Sequence, residues 1–332
     1  MAHPLCASLT GVRVLVTGAT GFVGRWVVQA LLDRRAEVGV VARDPHRMSV
    51  EHAGDEVRVL AADCARPGNL DAVLAEWQPV VLFHLAGYGV AKHERDPAQM
   101  RRLNHALLVE AVEGLRRLPS PHWDGLRLVH VGTALEYGVL AAPLDESVTA
   151  QPTTLYGQSK LAGTQVVQHA VRELHFPALV ARLFTVFGPG EREGRLFPTL
   201  LAAREHQAPV QLSSGEQTRD FGLVWDVAEA LVDLACVPRA EVLAGEPPFD
   251  QGLLNVASGR LHPVRAFVVE AARALDISPS RLAFGALPHL PEEMPHLPVP
   301  VARLQRALGR VLPGDLRGLL ERVRVWLDRG VA

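Results

Sequence analysis

Six short apolar runs recur along the first half of the chain: 12–18 (VRVLVTG), 37–42 (EVGVVA), 57–63 (VRVLAAD), 80–86 (VVLFHLA), 126–133 (LRLVHVGT) and 178–184 (ALVARLF). They are close to continuous rather than alternating, the pattern of strands buried on both faces. Between them, in 22–35, 97–118 and 156–174, apolar positions return every three to four residues, the period of an amphipathic helix. Strand and helix in alternation predict an α/β fold, a doubly wound parallel sheet covered by helices on both faces, over residues 11–187. After residue 188 the pattern changes. A loop-like GPGEREG (188–194) leads into short helical segments, a proline-rich stretch at 285–300, and amphipathic VARLQRALGRV and LRGLLERVRVWLDRG. Residues 188–330 are expected to form a smaller C-terminal α/β part, open to interleaving with the first.

Composition narrows the class. A chain of 332 residues fits one large domain or two closely joined ones. It is 48% hydrophobic and 21% charged with a net charge of −2, so it is globular and carries no nucleic-acid footprint. Cys6, Cys64 and Cys236 lie far apart without a CxxC pair, and the 14 histidines show no metal-ligand spacing. No bound metal is expected, and the thiols suit a reducing compartment. No apolar run reaches 18 residues, and no long apolar core precedes the first strand. The expectation is a cytoplasmic protein without membrane or signal segment.

The chemistry starts at the first strand. VLVTGATGFVG places Gly18, Gly21 and Gly24 between that strand and the helix opening at Phe22. Glycines let a backbone turn tightly and approach a pyrophosphate held at a helix N-terminus. In this setting the loop predicts dinucleotide binding and a Rossmann-type sheet. The second strand ends Ala42-Arg43-Asp44. An acidic residue here usually binds the ribose hydroxyls of NAD. A small residue followed by a guanidinium suits a 2′-phosphate, so NADP is favoured over NAD, with Asp44 the competing group. Further on, LYGQSK holds one of only three tyrosines and one of only two lysines. Tyr156 and Lys160 share a helix face, and an ammonium one turn away favours phenolate.

Together the glycine loop, HLAG (84–87), Asn104, Thr133, Tyr156-x-x-x-Lys160, RLFTVFGPG (182–190), GEQTRDFGLVWDVAEAL (215–231) and LNVASG (254–259) resemble the extended short-chain dehydrogenase/reductase family. The subgroup is the NAD(P)-dependent nucleotide-sugar epimerases, dehydratases and reductases, and the likeness runs over about 11–325. The resemblance implies that Tyr156 is the general acid/base and that Lys160 lowers its pKa and binds the nicotinamide ribose. It implies that Thr133 hydrogen-bonds the reacting oxygen. It places Gly18, Thr20, Gly21, Phe22, Val23, Gly24, Arg43, Asp63, Cys64, Leu85, Ala86, Gly87 and Asn104 along the cofactor, Asn104 more as a brace. On the substrate side it places Tyr88, Thr133, Ala134, Leu135, Thr185 and Arg219, with Arg219 holding the diphosphate of a nucleotide-sugar. A homodimer formed through helices 97–118 and 156–174 is also implied, with Leu107, Leu108, Leu161 and Val166 as apolar positions.

Departures from the family pattern shape the expected reaction. Where 4,6-dehydratases carry acid/base groups after the catalytic Thr, this chain has Ala134 and Leu135. Glu136 comes one step later, and alternation along an extended segment turns it away. That leaves a 4-keto-sugar reductase using NADPH as the leading expectation, with a 4-epimerase retaining NAD as the alternative. A reductase of a non-sugar carbonyl and a non-catalytic NADP sensor remain further options. The family's Asn and Tyr in RxxNVYGPG are Thr185 and Phe187 here, and the resemblance implies that the unusual loop 87–97 borders the sugar, with Tyr88, Lys92 and His93 either touching substrate or solvated.

Overall fold

All six apolar runs form strands: β1 (Arg13–Thr17), β2 (Glu37–Ala42), β3 (Val57–Ala61), β4 (Val81–His84), β5 (Leu128–Thr133) and β6 (Ala178–Leu183). Six more follow: β7 (Thr185–Phe187), β8 (Val210–Leu212), β9 (Thr218–Leu223), β10 (Leu253–Val256), β11 (Leu261–Pro263) and β12 (Leu282–Phe284). The computed structural model describes residues 7–44, 57–91, 93–120, 122–288 and 296–330. Lys92, Cys6 and the middle of the proline-rich stretch lie outside these residues.

The main sheet has seven parallel strands in the order β10-β6-β5-β4-β1-β2-β3. The strand order therefore reverses between β1 and β4, which opens a crevice at their carboxyl ends. One face of the sheet is covered by α1 (Phe22–Asp33) and α7 (Val224–Ala235), packed against each other, and by α10 (Ala302–Leu308). The other face carries α2 (Asn69–Trp77), α4 (Leu107–Arg117) and α5 (Leu155–Leu174). Burial on both faces is why these strands read as continuous apolar runs. Val14, Leu15, Val16, Leu82, Phe83, Leu128, Val129 and Leu179 are all fully buried.

The helix expected over 97–118 is three pieces in line: α3 (Pro97–Arg101), a wide π turn at Arg102–Ala106, and α4. Asp96 caps its start, accepting from Ala98 and Gln99 N–H. Leu107 and Leu108 are wholly buried inside the monomer, whereas Leu161 and Val166 on α5 are half-buried.

Beyond residue 188 the chain passes back and forth between two cores. β10 returns to the edge of the main sheet, and α7 and α10 join its core. A second core gathers β7, β9 and β11, the β8–β12 pair, and α6 (Leu196–Ala202), α9 (Val264–Ala274) and α11 (Leu316–Asp328). α8 (Arg239–Leu243) bridges α7 and β10 in the chain. The expected cut at 187/188 thus falls just after β7. Three tryptophans link the two cores: Trp26 on α1 meets Trp225 on α7 and Trp326 on α11 at 5.5 and 6.0 Å between ring centroids. The Trp26 indole N–H donates to the Pro189 carbonyl at 2.9 Å.

Beneath the end of β5 lies a buried ion pair. Glu136 Oε2 accepts from Arg182 Nη2 at 2.9 Å and from Thr164 Oγ1 at 2.8 Å, while Oε1 accepts from the Thr133 N–H at 2.7 Å. Both charged side chains are almost fully buried. Gly132 leaves the space for this carboxylate, since a Cβ there would come within 2.7 Å of Oε1. Arg182→Met leaves the Glu136 charge without its counter-ion, and breaking one side of a buried pair typically costs about 3–5 kcal/mol. Denaturant unfolding should show a loss of that order; a change of under about 1 kcal/mol would remove this pair as a keystone of the fold.

Candidate active site

The carboxyl ends of the strands gather most of the expected residues into one crevice. Gly18 follows β1 in a left-handed conformation (φ 75°), and a Cβ on it would come 2.6 Å from the Ala86 amide nitrogen. A Cβ on Gly24 would strike the Gly18 carbonyl. The loop and the helix after it therefore close on one another only as glycine. The HLAG segment after β4 is tied to β1: Leu85 N–H donates to Thr17 O at 3.1 Å, and Ala86 N–H to Thr17 Oγ1 at 3.4 Å. Thr20, Phe22 and Val23 complete the turn into α1.

Arg43 and Asp44 are exposed at the tip of β2. Asp63 and Cys64 follow β3. Asp63 caps its own loop, accepting from the Ala65 N–H at 3.0 Å. Burial, reinforced by Asp63, pushes the Cys64 thiol up to about 11, and the Arg102 charge, then that of Arg43, opposes this. The thiol is therefore neutral.

Asn104 sits in the π turn, fully buried. Its Oδ1 accepts from the Tyr88 N–H at 2.9 Å, and its amide donates to Tyr88 O and Ser159 Oγ, each at 2.8 Å. It braces the Tyr88 loop against α5. Its buried amide is spent on protein partners.

Thr133 ends β5 and caps the short turn Ala134–Glu136, with its Oγ1 accepting from the Leu135 N–H at 3.3 Å. Ala134 is buried and Leu135 half-buried. α5 starts at Leu155, capped by Thr154 Oγ1 accepting from Gly157 N–H at 3.0 Å. This sets Tyr156 at the mouth of the crevice, half-buried, and Lys160 one turn inward and buried.

The electrostatics differ from the sequence expectation. Burial raises the Tyr156 hydroxyl pKa, Glu136 and Glu94 raise it further, and Arg195 opposes them. Lys160 instead points its ammonium at the His130 ring, with Nζ 3.4 Å from Nε2. Burial pushes Lys160 down to about 8, with Glu136 pulling the other way. In this arrangement the phenol is protonated, because desolvation and two carboxylates outweigh the one cation set against them, Arg195.

Several residues around Tyr156 carry no signal in the linear sequence. Gly89, at φ 110°, packs against the Tyr156 ring, and its N–H donates to Glu94 Oε2 at 3.0 Å. Glu94 also accepts from Ala91 N–H and lies 3.8 Å from Arg192. Burial pushes the Glu191 carboxyl up to about 7, against the nearby Arg195. These charges come from two loops about a hundred residues apart, and only the fold brings them together.

Arg219 lies on β9 at the far end of the crevice, donating to Thr218 O at 2.9 Å. Beside it is buried His296, which burial and then the Arg219 charge push down to about 3. Thr185 is half-buried on β7.

A sheet reversing between β1 and β4, a glycine cradle at the reversal, and a Tyr–Lys helix beside Thr133 form one recognisable constellation. The profile of the NAD dependent epimerase/dehydratase family matches residues 14–242. The chain belongs to this family. It is an enzyme of the extended short-chain dehydrogenase/reductase type. A dTDP-6-deoxy-L-talose 4-dehydrogenase (NAD(P)(+)) from Kitasatospora kifunensis is 31% identical over 303 residues, 88% of each chain. A dTDP-L-rhamnose 4-epimerase from Burkholderia thailandensis is 28% identical over 272 residues, 69% of this chain and 75% of that one. The solved structure of MoeE5 in complex with UDP-glucose and NAD is 26% identical, covers 96% of this chain and 100% of its own, and superposes with a TM-score of 0.76. Among the described residues no helix is long and apolar enough to cross a membrane.

The buried ammonium has a consequence for stability. Lys160 sits near 8 in the fold against 10.5 when unperturbed. The unfolded chain therefore holds this proton more tightly, and folding stability rises with pH across that interval. Below about pH 8 the full penalty applies. In the cofactor-free protein, wild type should gain stability relative to Lys160→Met as pH rises from about 8 to 10.5. A constant difference in unfolding midpoint across that range would contradict the buried cation.

Proposed function

We propose that the enzyme is an NADPH-dependent 4-keto reductase of a nucleotide-activated sugar, with Tyr156 as general acid. The observation that carries this reading is the residue set after Thr133. Ala134 and Leu135 cannot transfer protons, and Glu136 is bound to Arg182, Thr164 and the Thr133 N–H. The elimination of water that a dehydratase performs lacks its acid/base pair, and a single carbonyl–carbinol exchange at Tyr156 remains. The 31% identical relative, named as a 4-dehydrogenase, supports chemistry at that same carbon.

The glycine cradle fits a dinucleotide pyrophosphate, because its backbone closes only without Cβ atoms. The bound nicotinamide supplies the hydride. Tyr156, protonated at rest, donates its proton to the carbonyl oxygen as negative charge develops there. The Thr133 hydroxyl hydrogen-bonds the same oxygen. Lys160 supplies the positive charge that favours the phenolate left behind and reaches the nicotinamide ribose. Arg219 holds the substrate diphosphate by charge-assisted bonds, and Arg43 pairs with the 2′-phosphate of NADP.

A 4-epimerase that retains NAD is the second reading, favoured by the 28% identical rhamnose 4-epimerase. The two separate on purification and turnover. Incubation with a panel of dTDP- and UDP-linked 4-keto sugars should consume NADPH one for one, read at its absorbance band. Protein that purifies with tightly held NAD and turns over without net cofactor change would favour the epimerase.

Tyr156→Phe deletes only the hydroxyl and should lower kcat by roughly 10²–10⁴-fold, the usual contribution of positioned proton transfer. Near wild-type turnover would show that the proton comes from elsewhere. Arg43 should favour NADPH by about ten- to a hundredfold, since a charge-assisted bond contributes about 1.5–3 kcal/mol and each 1.4 kcal/mol is tenfold. Arg43→Asp should reverse that order in calorimetric affinities. Equal wild-type affinities, or an NAD preference, would instead assign the ribose to Asp44 and weaken the reductase reading.

A further inference from the structure

Lys160 rests on two buried histidines that the proposed reaction does not use. His84 and His130 are directly paired neighbours on β4 and β5, and neither is exposed to solvent. Their Nδ1 atoms are 3.1 Å apart, and His130 Nε2 is 3.4 Å from Lys160 Nζ. His84 Nε2 is buried with no hydrogen-bond partner among the described residues. Gly163, one position short of a full turn past Lys160, lets α5 approach closely: a Cβ there would come 2.3 Å from the Asn104 carbonyl and 3.3 Å from His130 Nε2.

The proton positions along this chain follow from charge. An ammonium can only donate. His130 Nε2 must therefore accept, which puts the ring proton of His130 on Nδ1. That proton faces His84 Nδ1 at 3.1 Å, with the His84 backbone carbonyl a second acceptor beside the ring; donation to His84 Nδ1 puts the proton of His84 on Nε2, the atom without a partner. The Lys160–His130 link has one direction as long as Lys160 is charged. If Lys160 loses its proton, the amine can accept and the whole chain can reverse. Burial pushes both imidazoles down, His84 to about 3, and the Lys160 charge adds to this, so the pair is neutral and can serve as acceptor.

We propose that His130, held in one tautomer by His84, is the positioning residue for Lys160: its Nε2 accepts the ammonium proton, fixes the side chain beneath Tyr156 and keeps it cationic. The part about catalysis rests on the reading of Lys160 as the site's working cation. The ionisable groups facing Lys160 are the two imidazoles from β4 and β5, Glu136 from the turn after β5, and Tyr156 on its own helix. Glu136 acts on its charge but is bonded to Arg182, Thr164 and the Thr133 N–H, so His130 is the neutral acceptor at hand.

The chain has only two lysines, which makes the test direct. With Lys92→Arg and [13C]-lysine labelling, the single remaining lysine Cε signal titrates Lys160 alone. Wild type should titrate near 8. His130→Leu, similar in bulk but without an acceptor, should titrate lower by about one pH unit or more, the loss of one hydrogen bond to a charged donor. His130→Gln, which restores an acceptor, should recover most of that shift, as a merely space-filling role would not. An unchanged Lys160 titration in His130→Leu overturns the proposal. If the leucine variant fails to fold, wild type still decides: 15N-histidine shifts should show His130 protonated on Nδ1 at pH 6.5, and protonation on Nε2 overturns it. The basic limb of kcat/KM, measured without the Lys92 change, addresses the catalytic reading separately. It should move down in pH with the lysine titration. A limb that stays while the titration moves would leave the His130–Lys160 coupling intact and remove Lys160's charge from the catalytic account.

Discussion

The buried carboxylate of Glu136 is the constraint on which the geometry of the site depends. One oxygen binds the backbone of Thr133 at the end of β5; the other binds Thr164 on α5 and Arg182 on β6. Three elements that share no local sequence are fixed to one side chain. Thr133 and the Tyr156/Lys160 helix are thereby held relative to each other before any ligand arrives. The pair extends further: Arg182 lies over the Tyr137 ring at 4.2 Å, and Tyr137 donates to Asn255 Oδ1 at 2.9 Å on β10. Buried pairs of this kind contribute little net stability against an apolar alternative, but they are costly to break on one side. Their value here is geometric.

The same carboxylate shapes the electrostatics above it. It raises the Tyr156 hydroxyl and favours the Lys160 cation, and in both cases burial is the larger effect. A phenol kept protonated next to an ammonium that is reluctant to be charged is a poised arrangement rather than a stable one. Proton loss from Tyr156 becomes easier only as positive charge is held near it; at rest Arg195 supplies the opposing charge, and the proposed reading gives that part in the reaction to Lys160. Sites that keep a desolvated cation ready for use are less stable than an apolar filling of the same space would be.

Much of this was legible along the chain, for a physical reason. Strands buried on both faces write themselves as continuous apolar runs, and the glycines of the first turn are forced by backbone approaches as close as that of Gly18 to Ala86. What escaped has three causes. β10 is only Leu253–Val256, and it joins β6 across some seventy residues, so neither length nor neighbouring pattern marks it. His84 and His130 sit inside runs that read as plain strand interior, and their meaning exists only through strand register. Glu94, Glu191 and Arg195 belong to two distant loops, and charges on loops read as solvated until the fold closes them over a ring such as Tyr156. The alternation argument for Glu136 did not carry, because β5 ends at Thr133 and Ala134–Glu136 is a tight helical turn; what occupies Glu136 is its bonding to Arg182, Thr164 and the Thr133 N–H.

The two departures from the family's Asn and Tyr, Thr185 and Phe187, prove to be different in kind. Phe187 is buried among Phe197, Phe221 and Phe267, with centroids 5.7, 6.3 and 4.8 Å away. A tyrosine hydroxyl in that aromatic core would need a partner that phenylalanine rings cannot give, so Phe187 is a packing choice and carries no information about substrate. Thr185, two positions earlier on β7, is half-buried rather than sealed in that core. At the far end His296 is neutral, pushed down by burial and by Arg219, so the positive charge there is the guanidinium's. In the proposed reading, an anionic substrate at that end is met by Arg219 rather than by His296.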